Sequence, residues 1–224
     1  MSEEADVLSD VDRPETVRDF WNRAHGTDRT LWLTGSPGPE VWHRLGVEER
    51  VHRGAVVLNI GVGLGYCTKA LADSGCIVHA LDISPVALAR VRDIAMTWRV
   101  DQIDELPRMH FDLALSHLVA QHMTDADLIY QIRAVCPALK RGGLFAMQFS
   151  SLADASAVRL REAPIDQKAG GVLRTPERMA EMVRCAGGVM HRMIARETWP
   201  NGAAWWVAQV RRRRWYDRWR HRSV

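Results

Sequence analysis

Long apolar runs are missing from this 224-residue chain; no stretch approaches the roughly 20 residues that a membrane-spanning helix needs. The opening residues, MSEEADVLSDVDRPE, lack the basic and apolar regions of a signal peptide. Together these absences lead us to expect a cytoplasmic protein. Cysteine is sparse. Cys67, Cys76, Cys136 and Cys185 form no C-x-x-C pair and have no metal-ligand spacing, so reduced thiols are expected and no metal site is. Internal repeats, low-complexity tracts and long linkers are absent as well. What remains, 47% apolar and 25% charged, is the composition of an ordinary globular domain with room for an appendage.

Charge is unevenly spread. The formal net charge is +3. Residues 1–15 hold six acids and one arginine, whereas residues 211–224 hold seven arginines and one aspartate. The sequence pI of 8.8 therefore owes much to the C-terminal tail and says little about the body.

The hydrophobic pattern alternates between strand and helix. The runs at 55–60, 76–82, 96–100, 110–117 and 142–150 read as strands, and the first is apolar enough to be buried on both faces. Helices are expected over 14–25, 39–45, 64–75, 84–95, 124–139 and 175–188. Ser84, Thr124 and Thr175 are placed to cap three of them. Pro137 should disturb the last turns of the fifth. Two final strands flank the turn signal Pro200-Asn201-Gly202. Such alternation builds an α/β fold, a doubly wound and mostly parallel sheet, here seven-stranded with a C-terminal antiparallel hairpin.

The stretch VLNIGVGLGYCTKAL, residues 57–71, places Gly61, Gly63 and Gly65 between the first strand and its helix. In an open α/β sheet that edge is where ligands bind. Glycine there admits positive φ and close approach of a ligand. Asp82 ends the second strand beside the loop, and a carboxylate in that place can accept hydrogen bonds from a ribose diol. The spacing is G-x-G-x-G. It matches neither the dinucleotide fingerprint G-x-G-x-x-G nor a P-loop, since no G-K-[ST] follows.

With VVLNIGVGLG, VHALDIS, FDLALSHLVAQHM and LKRGGLFAMQFS in this order, the chain resembles the class I S-adenosylmethionine-dependent methyltransferases over residues 54–210. The resemblance implies a Rossmann-like fold, S-adenosyl-L-methionine as cofactor and methyl transfer as the reaction. It assigns Gly61, Gly63 and Gly65 to the methionine part of the cofactor, Asp82 to the ribose and Ile83 to the adenine. Asn59, Gln102, Ile103 and Ser116 complete the implied cofactor site. The chain departs from the family pattern at three places. Asn59 stands where an acid is common, Gln102 replaces the acid that meets the adenine amine, and Arg141 replaces proline in the turn before the fifth strand. We expect that turn to survive.

Methyl transfer from a sulfonium needs alignment above all, and a hydroxyl acceptor also benefits from a base. His117, at the end of the fourth strand, and His122 are the candidate general bases. The N-terminal segment, residues 1–53, carries Trp21, Trp32 and Trp42 and is expected to cap the cofactor and acceptor site of a domain spanning 54–212. Residues 151–174 form a candidate lid. The tail, 213–224, pairs arginines with Trp215 and Trp219, a combination suited to an anionic membrane surface. The expected acceptor is a small molecule methylated at oxygen or nitrogen, a sugar or lipid-linked glycan among the candidates. An RNA methyltransferase using the tail, or a degenerate cofactor-binding interaction domain, are the rival readings. No amino-methylation signature of the N-P-P-Y type follows the fourth strand, which speaks against a nucleic-acid base as acceptor.

Overall fold

A computed structural model of the chain describes residues 16–26, 38–152, 172–198 and 203–213. In chain order the elements are α1 (Val17–Gly26), α2 (Gly38–Leu45), β1 (Val56–Ile60), α3 (Tyr66–Asp73), β2 (Ile77–Asp82), α4 (Pro85–Ala89) and β3 (Met96–Arg99). Then follow β4 (Phe111–Ser116), α5 (Asp125–Ala138), β5 (Leu139–Leu152), α6 (Pro176–Cys185), β6 (Gly188–Thr198) and β7 (Ala203–Arg212). The strands form one seven-stranded sheet in the order β3-β2-β1-β4-β5-β7-β6. Strands β1 to β5 run parallel, and β7 pairs antiparallel with both β5 and β6. The expected doubly wound sheet with a terminal hairpin is therefore present.

Period-2 alternation along each central strand feeds two cores. Leu58, Ala114, Phe145, Met147 and Phe149 point to one face and pack with Leu128 and Ile132 of α5 and Met179 and Met182 of α6. Val57, Leu113, Leu115 and Ala146 point to the other and meet Leu71 of α3 and Val41, Trp42 and Leu45 of α2. Trp42 thus fastens α2 to the sheet from within the core. A third cluster joins Val62, Ala80, Ala87, Leu88 and Val91 beneath α4.

The expected caps form. Ser84 Oγ accepts from the Ala87 N–H, Thr124 from Asp127 and Thr175 from Arg178. Three expectations need correction. The helix expected over 84–95 is regular only through Ala89 and continues as turns; Leu88 and Val91 are nonetheless buried as its pattern required. Pro137 does not break α5, which runs one residue past it. Its missing N–H falls in the last turn, and the Pro137 and Ala138 carbonyls accept from the Met109 and His110 N–H groups. The fifth strand begins earlier than its apolar run. Leu139 already pairs with Phe111, and residues 140–143 step out of the ladder before Leu113 meets Leu144. The turn with Arg141 survives as this bulge, with Gly142 at φ 82° and its carbonyl bonded to Arg50 Nη1 at 2.9 Å. All four cysteines are free thiols; Cys136 is buried, whereas Cys185 is exposed at the end of α6.

At the opposite edge of the sheet, a buried histidine is locked in one tautomer. Trp98 Nε1 donates to His79 Nδ1 at 3.0 Å, so the proton sits on Nε2, which faces His110 Nε2 at 3.3 Å. Burial, reinforced by His110, lowers the pKa of His79 from 6.5 to about 4. Between those values the unfolded chain binds a proton that the fold refuses. Stability is therefore present above pH 6.5 and is lost as the pH falls toward 4. Urea unfolding of the wild type should lose about 2 kcal/mol more than His79→Phe between pH 7.5 and 5. Parallel pH slopes for the two proteins would show that His79 plays no such part.

Candidate cofactor and acceptor site

The site is built at the carboxyl ends of β1, β2 and β4. After Ile60 the chain must turn sharply from strand to helix, and Gly61, Gly63 and Gly65 do so at φ 79°, 56° and 87°. L side chains rarely adopt these values. Gly61 has a second reason to be glycine. A Cβ there would lie 2.1 Å from Val119 Cγ2, because the loop after β4 folds back onto it. That loop is itself strained, with Leu118 at φ 58°.

Asp82 organises the loop. Its Oδ2 accepts from the Val62 N–H at 2.7 Å and the Gly63 N–H at 3.4 Å, and its Oδ1 accepts from the Ser84 N–H at 2.8 Å. The side chain is 6% exposed. Burial pushes its pKa up, against the pull of the three N–H donors and of nearby His25. A carboxylate has about four acceptor positions, so capacity remains for a ligand hydroxyl.

Other residues named from the sequence fall into two groups. Ser116 and His117 end β4 at the open edge. Ser116 Oγ and His117 Nε2 are buried without a hydrogen-bond partner among the described residues. Burial, with the Arg44 charge as a second cause, lowers the His117 pKa to about 4. His122 lies on the next turn, its ring edge-on to Trp21 with centroids 5.0 Å apart. Burial lowers its pKa too, although the residue as a whole is exposed. Ile83 follows Asp82 at the same edge, half-buried. The second group is engaged elsewhere. Asn59 donates from Nδ2 to Thr68 Oγ1 at 2.8 Å and so ties β1 to α3. The Gln102 carbonyl accepts from the Arg99 N–H at 3.1 Å, closing a short 3-10 turn. Ile103 is buried in the core on the α5 face.

Two sets of contacts were not legible in the sequence. Helix α1 reaches over the site: Ser84 Oγ donates to Asn22 Oδ1 at 2.7 Å, Arg90 Nη2 donates to the His25 carbonyl at 2.7 Å, and Trp21 stacks on His25. The i, i+1, i+4 spacing of Trp21, Asn22 and His25, which puts them on one side of a helix, was the available signal. Second, Arg174 is fully buried. It donates to the Ala120 and Met123 carbonyls and to Asp125 Oδ1, while the Val172 N–H donates to the Gln121 carbonyl. Residues 172–174 thereby strap the loop that carries His122. Trp32, the lid residues 153–171 and the tail from 214 lie outside the described residues. Among the described residues there is no cluster suited to a metal and no helix long and apolar enough to cross a membrane.

Strand order, glycine loop and the acid after β2 together define a class I S-adenosylmethionine-dependent methyltransferase fold. Residues 57–143 match the family model described as a methyltransferase domain. An uncharacterized methyltransferase of Synechocystis is 36% identical over 115 residues, covering 49% of this chain and 54% of that protein. The chain thus spans about half the length of the curated relative it matches. Among solved structures, the Burkholderia thailandensis 1,6-didemethyltoxoflavin-N1-methyltransferase, with bound 1,6-didemethyltoxoflavin and S-adenosylhomocysteine, superposes with a TM-score of 0.65. It is 20% identical and covers 91% of this chain and 94% of that one. The [4+2]-cyclase SpnF superposes at 0.62 with 16% identity, over 88% and 93% of the two chains. At such identities the likeness establishes the fold.

The buried carboxylate generates a prediction. Asp82→Asn keeps the shape but turns one acceptor oxygen into a donor that must face backbone N–H groups. It should cost roughly 1–3 kcal/mol in urea unfolding at pH 7. Gly61→Ala should be destabilising as well, since it must hold φ near 79° and displace Val119. Wild-type stability in both variants would mean that the loop does not depend on these contacts.

Proposed function

We propose that this protein transfers a methyl group from S-adenosyl-L-methionine to an oxygen or nitrogen of a small molecule. The observation that carries the reading is the meeting of three positive-φ glycines with Asp82 at the carboxyl ends of β1 and β2, next to the unpartnered Ser116 Oγ and His117 Nε2. When bound, the cofactor supplies an electrophilic methyl group on a sulfonium. The glycine loop, free of side chains, gives its backbone to the methionine part. Asp82 accepts from the ribose hydroxyls with the capacity its backbone donors leave. Ile83 flanks the adenine. Ser116 and His117 lie at the end of β4, the strand beside β1, where the acceptor would be aligned.

His117 is the residue we assign to the acceptor's proton. Its Nε2 lacks a partner among the described residues and the imidazole is neutral at physiological pH. At neutral pH the ring is in its proton-accepting form, and an acceptor O–H turns strongly acidic as the new bond to oxygen forms, so even a weak base can take its proton. The small bound substrate of the Burkholderia relative is in keeping with an acceptor of that size. In this reading residues 1–53 cap the site, 54–212 hold the cofactor and 213–224 form a basic tail that would seat the protein on an anionic membrane surface.

Calorimetric titration with S-adenosylhomocysteine tests the cofactor assignment. The wild type should bind it, and neither NAD nor ATP. Gly63→Val should abolish binding while the thermal transition stays cooperative. Labelled S-adenosylmethionine with fractionated small-molecule extract then tests the reaction, with sugars and lipid-linked glycans in the acceptor panel. Binding of NAD in place of the homocysteine form would overturn the reading, and so would binding without label transfer to any fraction.

Once an acceptor is found, His117→Ala should lower turnover more than tenfold and leave S-adenosylhomocysteine affinity within twofold. The wild-type kcat/KM should stay level from pH 8 to about 5.5, because the neutral imidazole persists until its pKa near 4 is approached. A fall centred near 6.5 would instead report an ordinary histidine.

A further inference from the structure

Helix α1 docks beside Asp82 without a buried aliphatic stripe; Phe20, Trp21 and Ala24 are only partly buried. Its one buried residue is His25, 4% exposed. A helix of 10 residues is marginal in water by itself and ordinarily docks through an aliphatic stripe. Here the contacts are polar: Asn22 to Ser84 and the His25 carbonyl to Arg90, with Trp21 stacked on the imidazole. These contacts hold α1 against Ser84, two residues from Asp82, and the His25 ring lies within range of the Asp82 charge. There His25 Nδ1 is buried with no hydrogen-bond partner among the described residues. Leaving such an atom unpaired costs free energy that a ligand group would recover.

Resting on the cofactor assignment above, we propose that His25 is a ribose-binding residue supplied by the N-terminal helix. Its Nδ1 takes the second hydrogen bond of a hydroxyl that donates to Asp82. Each ribose hydroxyl is both donor and acceptor, so a carboxylate alone satisfies half of it. An imidazole Nδ1–H beside that carboxylate supplies the missing donor. The neutral ring that burial enforces can hold its proton on Nδ1 for this purpose. Because His25 is the one fully buried residue of α1, the ribose contact also couples cofactor binding to the seating of the helix. Cofactor binding should stiffen residues 17–26, and loss of the imidazole should uncouple the two.

The full-length protein and S-adenosylhomocysteine test this, with the 2′,3′-dideoxy analogue as comparison. His25→Ala should weaken S-adenosylhomocysteine roughly tenfold, the size of one to two neutral hydrogen bonds. It should leave the affinity for the dideoxy analogue unchanged, as a double-mutant-type cycle requires of a direct contact. His25→Asn, whose amide nitrogen falls near the Nδ1 position, should restore part of the loss. In the wild type, hydrogen exchange of the α1 amides should slow when the ligand binds; in His25→Ala it should not. Equal loss for both ligands would make His25 a structural residue and overturn the proposal, as would equal affinity of wild type and variant for S-adenosylhomocysteine. Failure of the wild type to bind S-adenosylhomocysteine at all would instead overturn the cofactor assignment itself.

Discussion

A single buried carboxylate holds the candidate site together. Asp82 draws the Val62 and Gly63 N–H groups onto one oxygen and the Ser84 N–H onto the other. It thereby fixes the glycine loop against the end of β2 and the start of α4. Carrying a charge into the interior is costly unless hydrogen bonds replace water, and here backbone donors do so. Ser84 extends the arrangement twice, capping α4 through Ala87 and donating to Asn22 of α1. Loop, strand end, helix cap and N-terminal helix are thus linked through two neighbouring polar residues.

A second polar anchor governs the loop between β4 and α5. Arg174 is buried with its guanidinium spread over the Ala120 and Met123 carbonyls and Asp125. Arg178 binds the other oxygen of Asp125. Removing one partner of such a network would leave a buried charge uncompensated, which is why the loop between β4 and α5 has little freedom to drift. The same loop carries Val119 onto Gly61. The loop after β4 and the glycine loop are therefore in direct contact, through a valine methyl occupying the space a glycine leaves.

Much of this architecture was legible in the sequence because it rests on local rules. A β-branched, doubly buried run gave β1, and an apolar run gave β4. Ser84, Thr124 and Thr175 gave three helix starts, and three glycines followed by an acid at the end of the next strand gave the ligand edge. The misreadings arose where tertiary contacts overrode a local signal. Residues 90–95 kept the apolar positions of a helix but continue as turns, since burying Leu88 and Val91 did not require further helical bonds. Pro137 looked like a breaker but fell one residue from the helix end, where it forfeits a single intrahelical bond and no further turn has to follow. Asn59 and Gln102, read as cofactor contacts, are not among these misreadings; one polar group of each also serves the fold, bonding Thr68 and the Arg99 N–H.

The sequence by itself determined the alternation of strand and helix, the glycine turn and the acid beside it. Each depends on the conformational preferences of residues close together in the chain. Only the tertiary structure decided that His25 would stand at Asp82, that Val119 would lie on Gly61 and that Arg174 would hold the loop of Gln121. These pairs are separated by some fifty to sixty residues, and no periodicity or turn preference links them. They are brought together by the order in which the sheet stacks its strands, because the carboxyl ends of β1, β2 and β4 converge on one edge.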